Sequence, residues 1–165
     1  IPKPPKQKAS EGVIVEGMDN VLVKFAKCCN PLPGDDIVGF ITRGYGVSIH
    51  KRDCRNAQEA DVSPRWVQAR WDDGIQESFR STLEIYAMDR ERLFADVSIV
   101  LADMRVPVYS INARSQAGGR AMIEALISVR NTEHLHSVIA RLGCVKNVTE
   151  IARSSLMIDN GQWKV

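Results

Sequence analysis

The chain has 165 residues, of which 44% are hydrophobic and 25% are charged, and its formal net charge is +2. This balance is typical of a soluble globular protein and excludes a general polycation that binds nucleic acid with its whole surface. No apolar run approaches the roughly 18 residues that a membrane-spanning helix needs.

The N-terminal half is predicted to consist of short strands that follow a linker. Residues 1–12 are rich in proline and lysine, lack the apolar core of a signal peptide and do not begin with methionine, so we expect a linker within a longer protein. The β-rich runs GVIVEG and NVLVKFA, separated by residues 18–20, predict a hairpin. The segment NPLPGDD then has the composition of a turn.

The rest of this half is predicted to contain three more strands and one helix. Short strands precede and follow the glycine-bracketed turn RGYG at residues 43–46. The segment RDCRNAQEADV predicts a helix with Asp53 as its N-cap. The alternating segment RWVQARWD predicts a strand, and the turn after it marks a domain boundary near residues 74–78.

The C-terminal half has a clear order of six elements. Their predicted ranges are a strand at 80–89, a helix at 90–105, strands at 108–116 and 120–130, a helix at 132–143 with Thr132 as N-cap, and a strand at 145–154. The order βαββαβ is that of the split βαβ, ferredoxin-like fold, an antiparallel sheet with both helices on one face. We therefore predict an α+β protein with a small β-rich domain followed by a ferredoxin-like domain.

Three of the four cysteines and one histidine form a candidate metal site. Cys28, Cys29, His50 and Cys54 have the spacing C-C-x20-H-x3-C. His50 and Cys54 would share a face if a helix began near His50, and a turn at the adjacent cysteines would let both face one ion. A tetrahedral Cys₃His zinc site is therefore geometrically reasonable, and four protein ligands would make the zinc structural.

Two other readings of the cysteine cluster stay open. The cysteines can be small buried core residues, with His50 as a hydrogen-bonded core imidazole. They can also form a thiol active site, although nothing nearby resembles an acid–base partner or an oxyanion hole. The fourth cysteine, Cys144, follows a predicted helix and is expected in the core.

Basic residues and one tyrosine surround the cluster in sequence and form a candidate RNA-binding surface. They are Lys24, Lys27, Arg43, Tyr45, Lys51, Arg52 and Arg55. Tyr45 lies in the RGYG turn, where its ring can stack on a base, and the cations can contact phosphates. The alternative is an ordinary solvated charged surface.

Two stretches carry a resemblance to a known family. KCCNPLPGDDIVGFITRGYGVSIHKRDC and YAMDRERLFADVSIVLADMRVPVYSINARS resemble the C-terminal regulatory region of the long Rel/SpoT-type (p)ppGpp synthetase/hydrolases of the stringent response. The resemblance implies a conserved-cysteine, zinc-finger-like (ribosome-intersubunit) domain at residues 13–76 and an ACT domain at 77–154, followed by a tail at 155–165.

The resemblance implies a role as well as a fold. In this family the catalytic domains, which act as GTP pyrophosphokinase and (p)ppGpp hydrolase, lie upstream, so this fragment is expected to be non-catalytic. The region is expected to place the cytoplasmic enzyme on the ribosome, near large-subunit rRNA and deacylated tRNA, with no membrane contact. The four cluster residues fall on the family's conserved cysteine and histidine positions, which favours zinc.

The ACT resemblance also suggests a small-molecule site. Its ligand loop commonly reads D-R-x-G-L, and here Arg92 replaces the glycine that lets a ligand approach the backbone. If a branched-chain amino acid binds, Asp89, Leu93 and Phe94 are expected to line its site. ACT domains also pair through strand edges and helices, so a homodimer is an expected assembly.

Overall fold

The computed structural model describes residues 11–154, and most of the predicted linker and the whole predicted tail, with Trp163, lie outside this range. The chain divides between Glu77 and Ser78 into two compact units. Over residues 11–154, none of the helices has both the length and the apolar character required to cross a bilayer.

The first unit is built on a five-stranded sheet. Its strands are β1 (Val13–Val15), β2 (Val23–Phe25), β3 (Ile37–Ile41), β4 (Val47–Lys51) and β5 (Trp66–Trp71). Their order across the sheet is β1-β5-β3-β4-β2, and β2 pairs with β4 in parallel while the other pairs are antiparallel.

The alternation of side chains along these strands separates two faces of the sheet. One face is the apolar core of the unit and contains Val13, Val15, Val23, Ile37, Val47 and Ile49, all at most 2% exposed. Val67, Ala69 and Trp71 of β5 pack against that core, as the alternation predicts. The opposite face carries the even-numbered side chains of β3 to β5, and the cysteine cluster lies on this side.

Two predictions for the first unit were wrong. The runs GVIVEG and NVLVKFA do not form a hairpin, because β1 pairs with β5 and β2 with β4; Val15 and Met18 share a single isolated bridge. The segment after His50 is not an α-helix but the 3₁₀ turn Arg55–Ala57, which follows Cys54. Ala57 is its one buried residue, so there is no apolar stripe for a longer helix to bury.

The second unit has the predicted βαββαβ order. Its elements are β6 (Phe79–Met88), α1 (Leu93–Asp103), β7 (Val108–Gln116), β8 (Arg120–Val129), α2 (Thr132–Gly143) and β9 (Val148–Ser154). All strand pairs are antiparallel in the order β7-β8-β6-β9, which leaves β7 and β9 at the edges. The ferredoxin-like prediction is confirmed.

The helix ends differ in detail from the sequence prediction. The N-cap of α2 is Asn131, whose side-chain oxygen accepts a hydrogen bond from the His134 N–H at 2.7 Å, and Thr132 is already helical. Arg92 precedes α1 with a left-handed backbone, φ 66°. Cys144 is exposed, so its predicted place in the core was wrong.

Candidate metal centre and nucleic-acid interface

The structure brings the four predicted ligands together. The ligand atoms of Cys28, Cys29, His50 and Cys54 all lie within 4.8 Å of one another. The Cys28 sulfur is 3.4 Å from His50 Nδ1, 3.5 Å from the Cys54 sulfur and 4.0 Å from the Cys29 sulfur. The Cys29 sulfur is 4.0 Å from the same His50 nitrogen. Three sulfurs and one imidazole nitrogen therefore converge on one small volume.

Three separate backbone elements supply these ligands. The adjacent cysteines lie in a turn closed by the Asn30 N–H, which donates to the Ala26 carbonyl at 2.9 Å, with Asn30 at φ 46°. His50 lies near the end of β4, and Cys54 caps the 3₁₀ turn. The two adjacent cysteines could face one ion only if the backbone turned there, and the structure contains this turn. The expected helical relation between His50 and Cys54 is replaced by a strand end and a turn.

The donor set fits a four-coordinate soft metal. Zinc–sulfur bonds of about 2.3 Å and zinc–nitrogen bonds of about 2.0–2.1 Å place tetrahedral ligand atoms roughly 3.5–3.8 Å apart. Four of the six separations between the ligand atoms, at 3.4–4.0 Å, bracket that value, and all six are within 4.8 Å. Exposed acidic clusters often occur without a metal, but here Cys29 and Cys54 are buried and Cys28 and His50 are half-buried.

Outer contacts orient the ligands. The Lys51 N–H donates to the Cys29 sulfur at 3.3 Å. His50 Nε2 is 3.4 Å from the Ser48 hydroxyl, which leaves Nδ1 directed at the sulfurs. Such partners fix ligand geometry and favour thiolates.

Burial sets the ionisation of the group when no cation is bound. Desolvation raises the pKa of the Cys28 and Cys29 thiols above the ordinary value and lowers the pKa of the His50 imidazole. These three groups are then neutral at pH 7. Raised thiol pKa values are the opposite of what a catalytic nucleophile needs, so the thiol-enzyme reading gains no support. A bound divalent cation would stabilise the thiolates instead.

The seven predicted RNA-binding residues fall into two groups. Lys24, Lys27, Arg43, Tyr45 and Arg55 are exposed. In contrast, Lys51 pairs with Asp53 at 3.4 Å, and Arg52 pairs with Asp36 at 3.3 Å and Asp61 at 3.8 Å. The second group is therefore partly neutralised by its own chain.

The tip of the β3–β4 hairpin displays an aromatic ring beside cations. Tyr45 is 70% exposed, and the Lys24 ammonium lies 5.7 Å from the centre of its ring. Arg43 is in the same turn, which the Thr42 N–H closes by donating to the Gly46 carbonyl at 2.9 Å. The arrangement can offer stacking and phosphate contacts at one place.

The predicted ACT ligand loop lines a cleft of about 400 Å³ in the second unit. Asp89, Leu93 and Phe94 are part of its wall, as the sequence suggested. Sequence reasoning missed Arg114 and Ser115, which β7 contributes. The loop motif does not indicate that β7 lies beside the loop. The only available signal was the alternation of side chains along β7, which places Arg114 and Asn112 on the same face of the strand.

Comparisons with known proteins give the same two parts. Residues 13–72 match the RelA/SpoT RIS domain family, and residues 75–153 match an ACT domain family. The chain is 36% identical over 150 residues to a GTP pyrophosphokinase of Haemophilus influenzae, covering 89% of this chain and 20% of that protein. It is 34% identical over 154 residues to the bifunctional (p)ppGpp synthase/hydrolase RelA of Mycobacterium tuberculosis, covering 93% of this chain and 21% of that protein.

The chain thus spans about a fifth of the length of these curated relatives. Among solved structures, the solution NMR structure of the ACT domain from the GTP pyrophosphokinase of Chlorobium tepidum matches 52% of this chain and 96% of that chain. Its TM-score is 0.46 at 19% sequence identity.

Proposed function

The chain belongs to the RelA/SpoT family, whose RIS and ACT domains it carries, and we propose that it is a non-catalytic regulatory region that binds the ribosome. In the cytoplasm it contacts large-subunit rRNA and deacylated tRNA, and it relays that state to catalytic domains elsewhere in the protein. Those domains make and hydrolyse (p)ppGpp, as the names of the relatives suggest.

The observation that carries this proposal is the exposed hairpin tip of the RIS domain. Tyr45 and Lys24 present a ring and a cation to solvent side by side, and Arg43 and Arg55 are exposed on the same small unit. Because the chain's net charge is only +2, attraction to RNA has to come from such a local cluster. Ring stacking and phosphate contacts together suit a folded RNA with unpaired bases.

The test is a salt titration of ribosome binding with a charge-reversal variant. Lys24, Arg43 and Arg55 are changed together to Glu, and binding of the 165-residue chain to ribosomes is measured by co-sedimentation from 50 to 200 mM salt. Log K falls as log salt rises, and each lost phosphate contact should make this negative slope shallower by roughly 1. For the triple variant we therefore expect a slope that is shallower by about 3. Unchanged affinity and slope would remove from the interface both the hairpin tip and Arg55, which lies in the 3₁₀ turn beyond the other end of β4.

The matched control makes the same charge change in the other unit. Arg130, Arg141 and Lys146 are all exposed in the ACT domain, and their change to Glu alters net charge equally. This control should keep most of the slope. Equal losses in both variants would indicate a general charge effect instead of a local surface.

We further propose that the cysteine cluster holds one structural zinc. Its ligands would be Cys28, Cys29, His50 and Cys54. The ion would hold the turn at the two adjacent cysteines and the 3₁₀ turn after Cys54 together on one side of the sheet. Cys54→Ser should lower zinc per chain in elemental analysis, whereas Cys144→Ser should not, since that exposed cysteine lies outside the cluster. Equal zinc content in the two variants would contradict the assignment.

A second candidate function is amino-acid sensing by the ACT domain. The 400 Å³ cleft combines the carboxylate of Asp89, the guanidinium of Arg114 and the apolar surface of Leu93, Phe94 and Ile123. These groups match the ammonium, carboxylate and side chain of a branched-chain amino acid. Calorimetric titration with valine, leucine and isoleucine at millimolar concentration should give saturable heats. Flat titrations with all three would exclude this function.

We also propose that the ACT domain forms a homodimer in which edge strand β7 and helix α1 both contact the partner. This edge strand is exposed along almost its whole length, and Val108 and Tyr109 are exposed on it. Ile99 of α1 is 48% exposed as well. Exposed apolar edges favour pairing with another strand. Sedimentation should show a concentration-dependent dimer that Ile99→Glu weakens, and a monomer at all concentrations would contradict it.

A further inference from the structure

None of the functions proposed above involves the cleft beside the candidate metal centre. It has a volume of about 460 Å³ and lies on the RIS domain. One wall is aromatic and the other is a polar turn; the lining residues are Phe40, His50, Arg55, Asn56, Gln58, Glu59 and Trp66.

The aromatic wall follows from strand register. Phe40 of β3 lies directly opposite Trp66 of β5, and their ring centres are 4.9 Å apart with the planes inclined by 57°. The His50 ring meets Trp66 edge-on at 5.4 Å. All three residues have even numbers on paired strands, so they share the sheet face that is opposite to the apolar core.

The polar wall is the 3₁₀ turn and the residues after it. Asn56, Gln58 and Glu59 are exposed, and they offer two carboxamides and a carboxylate at the rim of the cleft. Arg55 is in the same turn and also lines the cleft. The cleft therefore combines flat apolar rings, hydrogen-bonding groups of both kinds and a cation.

We propose that this cleft binds one unpaired nucleobase of the RNA that the RIS domain contacts. A base has two π faces and an edge of donors and acceptors, and it is joined to a phosphate. Aromatic rings stack on the faces of unpaired bases, and polar side chains read their edges. Trp66 supplies the stacking surface, and Phe40 supports it from the side, because the Arg65 guanidinium already lies 4.5 Å from the centre of the Phe40 ring. Gln58 and Glu59 contact the base edge, and Arg55 meets the phosphate.

The size and position of the cleft agree with this occupant. Its volume falls within the roughly 300–1,000 Å³ of ordinary small-ligand sites. A base that remains paired keeps its faces stacked and its edge occupied, so only an unpaired base can use both walls. His50 is shared between the aromatic wall and the cysteine cluster, so the candidate metal centre and the base site are built on the same residue. The inference rests on the proposed RNA-binding function and names what this part of the surface recognises.

The test compares RNA with and without bases at constant salt. Fluorescence anisotropy measures binding of the 165-residue chain to a labelled single-stranded RNA hexamer of mixed sequence and to an abasic hexamer with the same phosphates. We expect the normal hexamer to bind about 10-fold more tightly, which corresponds to about 1.4 kcal/mol. Equal binding of the two oligomers would overturn the base site while leaving charge-driven RNA binding intact. No binding of either oligomer would contradict the proposed RNA-binding function itself.

Variants place the effect in the cleft. Trp66→Leu should lower the ratio between the two oligomers to what stacking on Tyr45 alone supplies, and Gln58→Ala should lower it without affecting folding, because Gln58 is exposed. Gln76→Ala, an exposed residue that does not line the cleft, is the matched control and should keep the full ratio. If Trp66→Leu unfolds the unit, the binding ratio of Gln58→Ala alone tests the assignment of the base site to this cleft. A ratio unchanged by Gln58→Ala would overturn the assignment.

A competition arm separates RNA from a free nucleotide. The four nucleoside 5′-monophosphates are tested as competitors against the labelled hexamer. Weak competition, at concentrations far above that of the hexamer, agrees with a base presented by RNA. Competition as strong as that of unlabelled hexamer would assign the cleft to a free nucleotide and overturn its assignment to RNA.

Discussion

Gly46, in the β3–β4 turn, should be a critical backbone position of the RIS domain. Its φ is 88°, in the left-handed region, and an added Cβ would lie inside contact distance of the Leu22 carbonyl oxygen and 3.0 Å from the Leu22 carbonyl carbon. That oxygen accepts the hydrogen bond from the Val47 N–H at 2.8 Å, at the start of the parallel β2–β4 pair. Gly46→Ala therefore has to push Leu22 away and break this bond.

The magnitude follows from a neighbouring glycine. Gly44 has φ 91° and nothing within 4 Å of an added Cβ, so Gly44→Ala carries the backbone cost alone, roughly 1–2 kcal/mol. Gly46→Ala adds a lost backbone hydrogen bond, roughly 1–3 kcal/mol. Each kcal/mol lowers the melting temperature of a small domain by about 4–8 °C.

The assay is urea and thermal unfolding of the two variants, followed by tryptophan fluorescence, since Trp66 and Trp71 both lie in the RIS domain. Gly46→Ala should be the less stable by about 1–3 kcal/mol. It should also weaken ribosome binding, because β2 leads directly into the turn that holds the two adjacent cysteines. Equal stability of Gly44→Ala and Gly46→Ala would refute the reasoning from the Leu22 contact.

Three further predictions concern the ACT domain. Arg92→Gly should raise its free energy of unfolding by roughly 0.5–1 kcal/mol in urea titrations, because glycine adopts φ 66° without strain; a loss would contradict this. Asn131→Ala should lower it by about 1 kcal/mol through loss of the N-cap, and the same change one residue later should cost less. Burial raises the pKa of Glu124 above its ordinary value of 4.5; the charge of Arg114 opposes this shift and the charge of Glu84 adds to it. The protonated carboxyl therefore contributes stability that is fully present below pH 4.5 and is lost as the pH rises through the raised pKa. Glu124→Gln should therefore be the more stable at pH 7 and lose that advantage by pH 4, and a gap that does not change with pH would contradict the assignment.

The ACT domain could be predicted from sequence because its signals are local. Leu83 and Ile85 alternate along one strand, Leu93 and Val97 share one face of a helix, and the glycine pair at 118–119 closes the hairpin between β7 and β8. Each element is long enough for its period to be recognised. The exact N-cap of α2 could not be predicted, since Asn131 and Thr132 are both good N-cap residues and only the backbone conformation distinguishes them.

The RIS domain was harder because its pairings are not local. β1 pairs with β5 more than 50 residues away, and nothing in GVIVEG or in the turn at residues 18–20 encodes that partner. The predicted helix after His50 failed because the segment has no apolar stripe to bury. The cysteine cluster was recognised from residue type and spacing, but the turn that lets Cys28 and Cys29 face the same point depends on the left-handed Asn30.

The central claim is that the RIS domain, organised around its Cys₃His cluster, binds the ribosome. The direct test is co-sedimentation of the 165-residue chain with ribosomes, at one fixed salt concentration, before and after a chelator removes zinc from the chain. We expect about one zinc per chain before chelation and a loss of at least about 10-fold in affinity after it, which is about 1.4 kcal/mol. A zinc-loaded chain that does not bind ribosomes, or one that binds equally well after zinc is removed, would contradict it.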